Sequence, residues 1–234
     1  MHRKGDRLHR FLAPGKYHCR NQCGAFNMKI KQLEPGRYDQ MIDRYIEAGQ
    51  AEKPSIANEI EDVFSRDVTV FVLDISGFSR ITAKRGIVFY LAMIRRMQRL
   101  SEQMIAEHDG QVIKFVADNL FATFTCVDNA INFAWALNQG FEGMNIITEE
   151  DADIHISVGI ASGPVLIIDE HDMWGNAMNM ASKLGEDLAK AGEILVHRSS
   201  LLRMADPSRY ATKPRNYQIS GMMIDAIEIT DVFA

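Results

Sequence analysis

Cysteine is scarce in this chain, with three in 234 residues, at positions 19, 23 and 126. Three thiols cannot build a disulfide framework, which points to a reduced, cytoplasmic protein. Long hydrophobic runs are also missing. The segment Val68 to Leu73 is among the longest, and a helix needs about 20 apolar residues to cross a bilayer. No apolar stretch near the N-terminus reads as a secretory signal. Positive charge is not in excess either. The formal net charge is −5, which argues against a nucleic-acid track on the main body. What remains is ordinary for a globular protein, with 47% hydrophobic and 24% charged residues. The chain is long enough to bury a core of its own.

Residues 1–31 differ from the rest. Arg3, Lys4, Arg7, Arg10, Lys16, Arg20, Lys29 and Lys31 stand against a single acid, Asp6, and apolar periodicity is poor. The segment reads as a basic, disordered tail. His18, Cys19 and Cys23 lack the second ligand pair of a structural zinc site and read as ordinary side chains. Residues 32–66 form a linker or cap, in which Tyr38, Met41, Ile42 and Tyr45 predict one short helix over 38–48. Ile60, Val63 and Phe64 predict a second over 55–64, with Pro54 as the break between them. Residues 67–234 make up the main domain.

From Asp67 onward strands and helices alternate. Val68 to Ile75 reads as a buried strand and Gly86 to His108 as a long amphipathic helix. Gln111 to Ala117 and Leu120 to Cys126 predict a hairpin turned at Asp118-Asn119. A second helix covers Ala130 to Phe141. Ile154 to Ile160 and Val165 to Ile168 predict a second hairpin, turned by Ser162-Gly163-Pro164. A third helix covers Trp174 to Ala189, a short strand Glu193 to Val196, and β-like segments Arg209 to Val232. The order β-α-β-β-α-β defines an α/β (α+β) fold with a ferredoxin-like core and extra C-terminal strands.

Asp74 ends an apolar strand, so its charge must face solvent or an ion. Gly77 lets the following backbone turn and offer its amides to an anion. In a ferredoxin-like sheet the end of the first strand lies beside the tip of the next hairpin, where Asp118 sits. Two convergent carboxylates suit Mg²⁺ or Mn²⁺, with a triphosphate completing the shell; each aspartate alone also reads as a turn cap. By strand alternation Lys114 and Asp118 share one face, yet they lie ~13 Å apart and cannot serve one atom. Asn179 and Lys183 share a helix face, and Asp172 is placed to cap that helix. Ordinary polar surface explains these three as well.

Four segments taken together carry a resemblance. They are Phe71-Val-Leu-Asp-Ile-Ser-Gly-Phe-Ser79, Gly110-Gln-Val-Ile-Lys-Phe-Val-Ala-Asp118, Ser157-Val-Gly-Ile-Ala-Ser-Gly-Pro164 and Asp172-Met-Trp-Gly-Asn-Ala-Met-Asn-Met-Ala-Ser-Lys183. In order and spacing they are similar to the class III adenylate/guanylate cyclase catalytic domain. The resemblance implies that Asp74, the carbonyl of Ile75 and Asp118 hold two metal ions, Mg²⁺ or Mn²⁺. It implies that Lys114 and Asp172 read adenine, where guanylate cyclases are expected to carry a glutamate and a small residue. It also implies that Asn179 orients the ribose and that position 183 steadies the transition state. The site would lie across a head-to-tail homodimer, converting ATP to 3′,5′-cyclic AMP and pyrophosphate.

The chain departs from that family pattern at several positions. Lys183 stands where the family has an arginine, and Ser220 where it has a phosphate-binding lysine, with Lys213 or Arg215 as possible substitutes. The segment between Pro164 and Asp172 is short, which clips the arm that embraces the partner. Ala117 replaces the usual glycine before the hairpin aspartate. These changes imply slow turnover or dependence on an activating domain or protein. They leave open a catalytically weak or dead cyclase-like regulatory module, or a cyclase for GTP or a pyrimidine nucleotide.

Overall fold

The computed structural model describes residues 36–219 and 221–233. The expected basic tail, with His18, Cys19 and Cys23, and position 220 lie outside them. Helices α1 (Arg37–Glu47) and α2 (Lys53–Phe64) form a hairpin. Ile56, Ile60 and Phe64 of α2 are buried beneath Tyr38, Met41, Ile42 and Tyr45 of α1, and Leu166 of the sheet packs against the same cluster. The rings of Tyr38 and Phe64 meet edge to face at 5.5 Å. Helix α2 passes without a loop into strand β1 (Ser65–Ile75).

The remaining elements are α3 (Phe78–Arg85), α4 (Ile87–Met104), β2 (Gly110–Val116), β3 (Asn119–Phe124), α5 (Val127–Asn145), β4 (Ile156–Ile168), β5 (Asp172–Trp174), α6 (Asn176–Ser182), β6 (Ile194–His197), β7 (Tyr210–Ile219) and β8 (Met222–Val232). The sheet order is β2-β3-β1-β4-β6-β8-β7, with β5 paired to the far end of β4. Each neighbouring pair among the first four strands is antiparallel, as a ferredoxin-like core requires. Strand β6 then adds parallel to β4, and the β7–β8 hairpin extends the sheet.

Alternation along β1 explains its unbroken apolar run. Phe71, Leu73 and Ile75 enter one core with Tyr90, Met93 and Met97 of α4 and Ile131, Phe133 and Leu137 of α5. Val68, Val70 and Val72 enter a second core with Ala177 and Ala181 of α6. A strand covered on both faces has no polar face to show.

Four sequence expectations need correction. The second hairpin is a single strand, for β4 pairs with β1 from Ile75↔Ile156 to Ser65↔Leu166. Pro164 is tolerated because Val158 and Ser162 aim their N–H groups away from β1, at the Glu193 carbonyl and the Ser200 hydroxyl. By alternation the Pro164 nitrogen points the same way, into the gap between the β6 and β5 pairings, where no ladder donor is needed. The long helix is divided, because Gly77 and Gly86, both at positive φ, delimit the separate helix α3, and a 3₁₀ turn follows Met104. The first hairpin turns at Ala117-Asp118, with Val116 opposite Asn119. The third helix starts at Asn176, behind Gly175, and ends in a π turn over Lys183–Leu188. Asp172 therefore sits on a strand and caps no helix.

Gly159 lets α6 lie this close to the sheet. A Cβ at that position would stand 2.1 Å from the Ala181 carbonyl oxygen and 2.3 Å from the Gly185 nitrogen. Backbone thus packs on backbone, and the π turn is pressed against β1, which carries Asp74, and β4.

Candidate active site

Asp74 is half-buried, one residue from the end of β1. Beyond it the Ser76 N–H donates to the His155 carbonyl at 2.9 Å, which holds the strand end to its neighbour. Asp118 lies in the β2–β3 turn behind Ala117, whose φ of 52° is left-handed. A glycine would adopt that conformation freely, whereas alanine pays about 1 kcal/mol. The Tyr90 hydroxyl donates to Asp118 Oδ2 at 2.8 Å and lies 3.5 Å from the Ile75 carbonyl oxygen. One side chain of α4 thus touches two of the three groups expected at the metal site. The third, Asp74, feels the charge of Asp118.

Asp74 carries the electrostatic cost of standing near other acids. Burial first, then the charges of Asp118 and Glu186, raise Asp74 from 3.8 to about 7. Burial, with Asp118 as hydrogen-bond acceptor, raises Tyr90 and keeps it a donor. Among the described residues no three carboxylate, imidazole or thiolate side chains gather into a closed metal cage. The Asp74 and Asp118 carboxylates and the Ile75 carbonyl are hard oxygen donors that could hold a metal ion. That suits an ion such as Mg²⁺, which keeps part of its shell for water and phosphate oxygens.

Asp74 has a consequence for stability in metal-free buffer. A carboxyl with a raised folded-state pKa favours folding when protonated, and that contribution is lost as pH rises from about 4 to about 7. With EDTA present, Asp74→Asn is expected to gain stability over wild type as pH is raised through that window. Thermal midpoints that keep the same separation at both ends of the window would contradict this account.

A second group forms over the core beneath α6. Lys114 Nζ donates to Asp172 Oδ1 at 2.6 Å, and both side chains remain partly exposed. The ammonium stands 5.3 Å from the ring centre of Phe121, which belongs to the core beneath α6. Tyr90, the partner of Asp118, belongs to the opposite core. Asp118 lies in the turn with its carboxylate on the Tyr90 hydroxyl, and Lys114 is paired with Asp172 instead. Asn179 is exposed on α6, and Lys183 is half-buried at the start of the π turn.

Two side chains near the acids escaped the sequence reading. Tyr90 stands among the apolar residues of an amphipathic helix, and nothing in its spacing shows that its hydroxyl finds a carboxylate. Glu186 was more legible, since Asn179, Lys183 and Glu186 follow the i, i+4, i+7 rhythm of a helix face. The Arg215 guanidinium, one substitute offered for the lysine, is held by Glu228 at 2.8 Å and Glu193 at 3.4 Å. Lys213 is exposed on β7.

Fold and site together define a ferredoxin-like domain with an open acidic centre at one sheet end and a lysine–aspartate pair on one face. The profile of the adenylate and guanylate cyclase catalytic domain matches residues 61–227, and the chain belongs to that family. It is 26% identical over 136 residues to putative adenylate cyclase 3 of Rhizobium meliloti (strain 1021), covering 58% of this chain and 23% of that protein. It is 27% identical over 146 residues to the germination-specific adenylate cyclase of Dictyostelium discoideum, covering 56% and 17%. The chain thus spans less than a quarter of either relative. Among solved structures, the catalytic core of a rhodopsin-guanylyl cyclase with converted specificity, in complex with ATPαS, superposes with a TM-score of 0.62. That match has 21% identity over 72% of this chain and 98% of the other. The adenylyl cyclase CyaB of P. aeruginosa gives 0.58 at 20% identity, over 71% and 95%. No helix among the described residues is long and apolar enough to cross a membrane.

Proposed function

We propose that this chain is an adenylate cyclase, forming 3′,5′-cyclic AMP and pyrophosphate from ATP at two sites shared across a homodimer. The observation that carries the reading is the partition of the site residues. Asp118 is held by Tyr90 at the end of the sheet, close enough to Asp74 for their charges to interact, and the Lys114–Asp172 pair forms a separate group over Phe121. A domain holding both halves of a site apart is completed by a second copy facing it head to tail. Exposed Val116 and Trp174 stand two residues along their strands from Lys114 and Asp172, on the same faces. They offer apolar surface for that contact.

Asp74, the Ile75 carbonyl and Asp118 are the residues to hold two divalent ions, Mg²⁺ or Mn²⁺. Bound there, such ions would supply Lewis acidity that lowers the pKa of the ribose 3′-hydroxyl and offsets charge on the triphosphate. The chain's own groups do the rest. The first-turn amides of α3, following Gly77, are free of a side-chain cap and suit a phosphate oxygen. The partner's copy of the Lys114–Asp172 pair offers adenine a donor for a ring nitrogen and an acceptor for the exocyclic amine. Asn179 orients the ribose, so that its 3′-oxygen attacks the α-phosphorus as pyrophosphate leaves. Lys183 stabilises the charge that develops on the transferring phosphoryl group. A regulatory domain or activator protein fits a site with these departures, and nucleic acid is not a partner in this scheme.

The test is incubation with ATP, GTP, CTP or UTP and Mg²⁺ or Mn²⁺, scoring cyclic nucleotide and pyrophosphate. Cyclic AMP from ATP, abolished in Asp74→Ala, is the expected result. Product from GTP in preference to ATP would overturn the assignment of Lys114 and Asp172. Nucleotide binding without product under every condition would make the chain a regulatory module.

A further inference from the structure

We propose that Tyr90 is a positioning residue whose hydroxyl clamps the Asp118 carboxylate against the Ile75 carbonyl and so sets the spacing of the metal-binding oxygens. The inference rests on the metal-site reading above and goes beyond it, to a residue of α4 that no motif marks.

Tyr90 is fully buried. Its ring is pinned edge to face against Phe78 at 4.8 Å and packs in the core shared by α4, α5 and β1. A phenylalanine would fill that space, so packing alone gives the hydroxyl no purpose. A buried phenol needs an acceptor, and here the acceptors are both at the site. Asp118 Oδ2 lies at 2.8 Å and the Ile75 carbonyl at 3.5 Å. They come from a hairpin turn and a strand end 43 residues apart in sequence, and Tyr90 joins them through a helix anchored in the core. Its single proton goes to the nearer acceptor, Asp118. That fixes which carboxylate oxygen is occupied and leaves the other for an ion. Asp118 needs such a fix because its turn contains a non-glycine residue at positive φ. Donors of this kind, one step removed from the metal, typically account for ten- to a hundredfold in metal affinity.

The experiment uses the full chain and 3′-deoxy-ATP, which binds as ATP does but has no 3′-hydroxyl to react. Its binding is titrated at increasing Mn²⁺ for wild type, Tyr90→Phe, Asp118→Asn, the double variant and Asp74→Ala. Tyr90→Phe is expected to raise the Mn²⁺ concentration at half-saturation about tenfold. In the Asp118→Asn background the same change is expected to have little further effect, because the two groups act as one unit. A purely structural role for Tyr90 would give additive losses instead. If Asp74→Ala removes the Mn²⁺ dependence while Tyr90→Phe stays within twofold of wild type, the clamp is wrong and the metal site stands. If wild type shows no Mn²⁺ dependence, both fall. Should Tyr90→Phe fold poorly, Phe78→Leu loosens the ring without removing the hydroxyl, and a smaller rise in the Mn²⁺ requirement is expected. No rise there would count against the clamp.

Discussion

Co-expressed in equal amounts, an Asp118→Ala subunit and a Lys114→Ala/Asp172→Ala subunit are expected to recover about one quarter of wild-type turnover, although each alone is nearly inactive. Random pairing makes half of the dimers mixed, and each mixed dimer holds one intact site and one doubly damaged site. Asp118→Ala alone is expected to lose ~10³-fold in kcat, because it removes both a metal-binding oxygen and the acceptor of the Tyr90 hydroxyl. The double variant alone is expected to lose ~10²-fold in kcat/KM through poor nucleotide binding. The recovery follows from where the groups stand. Lys114 lies over Phe121, in the core beneath α6, and Asp118 turns toward Tyr90, in the core of α4 and α5. If one chain built the whole site, the mixed preparation would stay as inactive as its parts. Isolating mixed dimers with two affinity tags and assaying cyclic AMP separates the two cases.

The fold was legible where local pattern and tertiary environment agree. The apolar run at Val68 to Leu73, the amphipathic spacing from Ile94 to Met104 and the Val112–Phe124 hairpin each carry their own periodicity, and they set the ferredoxin-like order. The failures have physical causes. Ser162-Gly163-Pro164 is a strong turn signal, overridden because a long β1 offers pairing along the full length of β4. Helix α3 is short and polar, bracketed by two glycines, and its only buried residue is Ile81. The π turn after Ser182 exists because Gly159 and Gly185 permit contact between backbones, which is tertiary information. In the site, Asp74 and Asp118 could be brought together by topology alone. That Lys114 bonds directly to Asp172 could not, since they stand 58 residues apart and Asp172 reads locally as a helix cap. Tyr90 was hidden because its ring satisfies the apolar pattern that its hydroxyl departs from.

Lys183→Arg is expected to raise kcat by up to ~10²-fold while leaving KM for ATP within about twofold. Lys183 lies where α6 gives way to the π turn, its N–H shared by the Asn179 and Met180 carbonyls, so its backbone position is well held. What it presents to the site is a compact, strongly hydrated ammonium. A guanidinium spreads the same charge over a planar fork and can meet two oxygens of a trigonal-bipyramidal phosphorus at once. The second contact matters only as charge moves onto those oxygens in the transition state, so the gain belongs in kcat rather than in ground-state binding. Removing one such contact typically costs about 2–3 kcal/mol, which sets the upper limit of the gain. Lys183→Ala tests the same role from the other side and is expected to fall below wild type in kcat. A Lys183→Arg enzyme that turns over more slowly than wild type would show that the ammonium is engaged elsewhere, with nearby Glu186 the first partner to test by Glu186→Gln. A rise confined to KM would mean that the side chain binds the triphosphate before reaction and does not follow the charge through it.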